Sequence, residues 1–112
     1  MIIDATLGAV VQQIPIAFTT SGDNIVVQGL VGKQIKVLQF FYTVSGSTII
    51  VFKSYTSPGV TASLSGLVTF AGNGSQVQDY MQLPLTCRVG DSYVMNSSAA
   101  VTVGGTLWYV MI

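Results

Sequence analysis

Clusters of glycine, serine, asparagine and proline cut this chain at regular intervals. No interval between them carries apolar residues at helical spacing over three turns. The breaks fall at Ser21-Gly22-Asp23-Asn24, Gly29 to Gly32, Ser45-Gly46-Ser47, Ser57-Pro58-Gly59, Gly72-Asn73-Gly74-Ser75, Arg88-Val89-Gly90-Asp91 and Ser97-Ser98. Glycine and asparagine favour such places because they accept backbone conformations other residues avoid. Between the breaks valine, isoleucine, threonine, tyrosine and phenylalanine dominate, the residues that fit a pleated surface. About eight extended segments result, near 7–19, 24–30, 34–45, 48–55, 60–70, 77–85, 91–97 and 100–111. That punctuation predicts an all-β fold, a jelly-roll-like antiparallel β-sandwich of about eight strands.

Details of the segments sharpen the expectation. Ser45-Gly46-Ser47 is short enough for a tight hairpin. Pro15 has no N–H to give a ladder, so the first segment is expected at a sheet edge or bent there. Gly104-Gly105 predicts a bulge or a close approach by another backbone. From Lys36 to Val44, one parity carries Leu38, Phe40, Tyr42 and Val44, and the other carries Ile35, Val37, Gln39 and Phe41. The last segment places Trp108, Val110 and Ile112 opposite Val101, Val103, Leu107, Tyr109 and Met111. A two-sheet sandwich needs one apolar face per strand. Segments apolar on both faces predict an oligomer, with Phe41, Val37, Ile35, Trp108 and Val110 as the subunit interface.

The chain has 112 residues, room for one domain with a proper core over 1–112, of which 1–20 reads as an arm or edge strand contacting a neighbour. Charged residues make up 7 % of it, against roughly 25 % in an ordinary soluble domain, and such a surface favours association. Four bases balance four acids, poor equipment for neutralising nucleic-acid phosphates. With no histidine, no glutamate and one cysteine, neither a catalytic triad nor a zinc site in its usual form is available. Asp4, Asp23, Asp79 and Asp91 read as turn and strand-end residues. No enzyme activity, cofactor or metal is expected.

No uninterrupted window of about 18 apolar residues exists, so no transmembrane helix is expected. Met1 to Val11 carries Asp4 and no base, unlike a secretory signal. Cys87 reads as a buried structural thiol, and the sequons at Asn73 and Asn96 read as turn residues. Tyr55, Tyr80, Tyr93, Trp108 and Tyr109 are the aromatics available for a sugar-stacking platform, the alternative being core or subunit contact.

Several stretches carry a family resemblance. They are Ser21-Gly22-Asp23-Asn24-Ile25-Val26-Val27, Gly32-Lys33-Gln34-Ile35-Lys36-Val37-Leu38, Val51-Phe52-Lys53-Ser54, and Gly90 to Val101 followed by Val103-Gly104-Gly105 and Leu107-Trp108-Tyr109-Val110. Together they resemble small jelly-roll virion proteins of tailed bacteriophages, of the capsid decoration (cement) or head-fibre type. The resemblance implies a homotrimer on the capsid surface that stabilises the head shell by binding the major capsid protein at capsomer junctions, with no catalytic residues. The alternative it leaves open is a carbohydrate- or receptor-binding module of a head or tail fibre.

Overall fold

The computed structural model describes residues 2–4, 9–79 and 84–112. Its strands are β1 (Ile2–Asp4), β2 (Ala9–Phe18), β3 (Gly22–Val27), β4 (Ile35–Val44), β5 (Thr48–Thr56), β6 (Val60–Ser63), β7 (Val68–Phe70), β8 (Gly74–Asp79), β9 (Leu85–Thr86), β10 (Ser92–Ser97) and β11 (Val103–Met111). No helix occurs among the described residues. The strands form two antiparallel sheets packed as a sandwich. One runs β1-β2-β11-β4-β8, with β9 also on β4, and the other runs β3-β10-β5-β6, with β7 also on β5.

The pairing is nested. β5 pairs β6 across the turn at Ser57-Pro58-Gly59. Outside that lie β4 with β8 and β9, then β3 with β10, then β2 with β11. Each corner carries the chain from one layer to the other. Ser45-Gly46-Ser47 is such a corner, not the expected hairpin, because β4 and β5 belong to different sheets. The crossing is stabilised by its neighbour, the corner between β10 and β11. Ser45 donates its N–H to the Thr102 carbonyl (3.0 Å) and its Oγ accepts the Thr102 N–H (2.9 Å).

Two edge strands are interrupted. The segment expected as one strand over 60–70 is β6 and β7 laid end to end along β5, with Leu64 to Leu67 looping out between Ser63↔Lys53 and Val68↔Ile50. Ser65 Oγ accepts the Phe52 N–H that this excursion would otherwise strand (3.1 Å). β8 and β9 lie end to end along β4 in the same manner, resuming after Leu38.

Leu38 is the pivot of the first sheet. Trp108 faces Gln39 and Tyr109 faces Val37, leaving Leu38 as an extra residue in β4. A bulge of this kind shifts the side-chain alternation by one. Ile35 and Val37 on one side of it, and Phe40, Tyr42 and Val44 on the other, therefore all enter the same core. That core also takes Ile16, Leu107 and Tyr109 from the first sheet and Val27, Ile50, Tyr93 and Met95 from the second. Phe52 joins the layers, with ring centroids 4.9 Å from Phe40 and 6.1 Å from both Tyr42 and Tyr93. Such ring contacts contribute beyond the area they bury.

The two sequence signals at the first sheet resolve clearly. Pro15 sits on the stretch of β2 that, among the described residues, has only β11 beside it. Gly105 is the close approach: a Cβ there would lie 2.0 Å from the Phe41 carbonyl oxygen.

Candidate interaction surface

Because Leu107 and Tyr109 point into the core, strand alternation turns Thr106, Trp108 and Val110 to the outer face of the first sheet. Beside them, beyond the bulge, β4 turns out Gln39, Phe41 and Thr43. Register then sets two rows across the sheet. Pro15, Thr106, Phe41 and Val77 form one, and Gln13, Trp108 and Gln39 form the next. Phe41 and Trp108 meet with centroids 6.0 Å apart and planes tilted by 43°. Phe41 is 42 % and Val77 68 % exposed, and these seven residues are uncharged, while charge enters at the margin, where Asp79 pairs Gln39 and Lys36 pairs Val110. An aromatic pair among apolar and uncharged polar neighbours, with charge at the margin, is the composition found at protein interfaces.

The five residues expected at a subunit interface separate here. Phe41 and Trp108 share the outer face. Ile35 and Val37 lie in the core, at 1 % and 0 % exposure, and Val110 is at 0 % although its parity is outward. These three are already covered within the single chain, so another subunit cannot reach them. For Ile35 and Val37 the reason is the bulge: apparent apolarity on both faces of β4 is largely one face interrupted at Leu38. Val77 joins the exposed patch instead. Its position was legible only as the apolar member of Ser75-Gln76-Val77-Gln78.

Elsewhere the polar groups are structural in their geometry. Asp91, 3 % exposed, accepts hydrogen bonds from Ser54 Oγ (2.6 Å), Thr56 Oγ1 (2.5 Å) and Arg88 Nε (2.7 Å). Burial alone would raise its pKa. The Ser54, Thr56 and Arg88 contacts outweigh burial and hold the carboxyl below its ordinary value. The turn that sets this pair needs Gly90, whose φ is 84° at its third position. Arg88 then reaches the Ser54 and Val60 carbonyls, tying β5, β6 and the entry to β10 together.

On the outer face of the second sheet Lys53 Nζ lies 3.5 Å from Asp23 Oδ1, spanning β10 between Val94 and Asn96. Asn96 is in that strand rather than a turn and donates to Asp23 (2.7 Å). Cys87 is buried, and that desolvation pushes its thiol up to about 11 despite a hydrogen bond with Ser54. No group of three metal-capable side chains occurs among the described residues.

The aromatics do not assemble into a sugar platform. Tyr93 and Tyr109 are buried, Tyr55 and Trp108 belong to outer faces of opposite sheets, and Tyr80 lies outside the described residues. An open cleft of about 500 Å³ lies at one end of the sandwich, lined by Thr43, Val44, Ser45, Asn73, Gly74, Ser75 and Thr102. It holds hydroxyls and an amide but no ring and no charge. Comparison with protein-family models, with curated proteins and with solved structures finds no match to this chain.

Proposed function

We propose that this chain is a structural protein of a phage virion, a capsid decoration (cement) protein that forms a homotrimer and binds the head shell over capsomer junctions. The resemblance of its sequence stretches points to that class. The nested strand order, divided as β2-β11-β4-β8 and β3-β10-β5-β6, supports reading the sandwich as a jelly roll. The observation that carries the adhesive reading is the outer-face patch formed by Phe41, Trp108 and Val77. A cement protein works by interfaces: each trimer adds buried area between capsomers and raises the energy needed to rupture the shell. The N-terminal hairpin suits such a role. β1 pairs β2 only at Ala9 to Val11, and β2 joins β11 only from Gln12 onward, so the hairpin extends past the shared ladder.

Two measurements test the reading. Light scattering of the purified chain is expected to give a trimer, and Phe41→Ser with Trp108→Ser is expected to shift it towards monomer. Co-sedimentation with empty capsids is expected to saturate at a fixed copy number per shell. A lone, soluble subunit at high concentration would overturn the trimer. Retention on a glycan array without shell affinity would replace cement by a carbohydrate-binding fibre module.

A further inference from the structure

The chain has three asparagines, and their surroundings differ. Asn24 precedes Ile25, and its Nδ2 donates to the Thr20 and Gly22 carbonyls while its Oδ1 accepts the Thr20 hydroxyl. Asn96 precedes Ser97 and donates to Asp23. Asn73 is exposed in the bend before β8, no hydrogen bond holds its carboxamide among the described residues, and the next residue is Gly74. From these contrasts we infer that Asn73 is a site of spontaneous backbone-assisted deamidation, which places a negative charge at the rim of the open cleft.

The step needs only water. The Gly74 nitrogen attacks Asn73 Cγ, a C–N bond forms and the carboxamide C–N bond breaks. The proton lost from the Gly74 nitrogen goes to the departing amine, which leaves as ammonia. Water then opens the five-membered imide at either carbonyl, giving aspartate or isoaspartate at position 73. A following residue without Cβ leaves that nitrogen accessible, which is why glycine permits the ring closure best. The packing there also favours glycine. A Cβ at position 74 would lie 2.5 Å from Phe70 Cδ1, so a larger residue that shielded the bond would have to displace that ring. The brake is the ladder: Gly74 faces Val44 at the first pair of β8, and that pair must open for the ring to close.

The product changes both charge and chain. A molecule with no net charge acquires a negative one beside Ser45, Ser75 and Thr102. Isoaspartate also adds a backbone atom at the entry to β8.

Incubation of the intact folded protein at mildly alkaline pH, followed by isoelectric focusing and peptide mapping, tests this. Conversion at Asn73 is expected to run about tenfold faster than at Asn24 or Asn96, the ratio given by a barrier lower by about 1.4 kcal/mol. Isoaspartate should appear at that position, and Asn73→Gln should slow the formation of acidic species to the rate set by Asn24 and Asn96 while leaving the melting temperature unchanged. The inference is overturned if Asn24 or Asn96 converts first, if acidic species form at the native rate in Asn73→Gln, or if Asn73 reacts only in denaturant.

Discussion

Replacing Asp91 by alanine removes the acceptor at which Ser54, Thr56 and Arg88 converge. Hydrogen bonds to a charged group contribute about 1.5–3 kcal/mol each, but three that share one carboxylate do not add. Breaking a buried ion pair by removing one partner costs about 3–5 kcal/mol. Here the cost falls at the lower end, because the Arg88 side chain is 47 % exposed and can rehydrate. Ser54, fully buried, cannot, and its hydroxyl loses its acceptor. The expected loss is about 3 kcal/mol. With a urea slope of about 1.5 kcal/mol per molar, the unfolding midpoint should drop by about 2 M at fixed protein concentration.

The same side chain predicts a pH dependence. Its folded pKa lies below the unfolded value of 3.8. A depressed carboxylate stabilises fully above the unfolded value, and that contribution is lost as pH falls through the folded one. The native chain should therefore weaken below about pH 4 more steeply than Asp91→Asn, which has no proton to take up there. Parallel acid limbs for the two proteins, or an Asp91→Ala midpoint within error of the native one, would refute the reasoning.

Two neighbouring glycines should respond very differently to alanine. Gly105→Ala drives a Cβ into the Phe41 carbonyl and should cost at least about 3 kcal/mol or prevent folding, whereas at Gly104 the nearest atom, the Ile16 carbonyl oxygen, is 3.8 Å away and the change should cost under about 1 kcal/mol in the same urea assay. Cys87, buried and with its thiol raised to about 11, should resist alkylation in the native protein at neutral pH and react at an ordinary rate in denaturant. Fast native labelling would mean that the core around it opens readily.

Much of the strand map was legible because turn residues act locally. The segments expected at 34–45 and 91–97 differ from β4 and β10 by a residue at each boundary or less. Pro15 marked the one-sided part of β2, and Gly104-Gly105 marked the close approach, since a missing N–H and a missing Cβ are properties of the residue itself. What escaped depends on partners far away in the chain. Leu38 looks like any strand leucine, and its bulge exists only because β11 and the β8–β9 pair meet β4 out of step there. That slip reassigned Ile35 and Val37 from an expected interface to the core. The Asp91 clasp was hidden for the same reason: Ser54 and Thr56 come from a strand more than thirty positions away.

The interrupted margins of the sandwich bear on solubility. β4, β5 and β11, enclosed between neighbours, run nine or ten residues, while the bordering strands β1, β3, β6, β7, β8 and β9 run six or fewer, and the longer one-sided stretch of β2, Gln12 to Phe18, is interrupted by Pro15, which has no N–H to offer. A foreign strand seeking to add itself to such a border finds free amides and carbonyls for only a few registers before the line breaks. In a chain with so little charge to repel its copies, broken borders can suppress runaway fibre growth while the broad sheet faces remain open to ordered contacts.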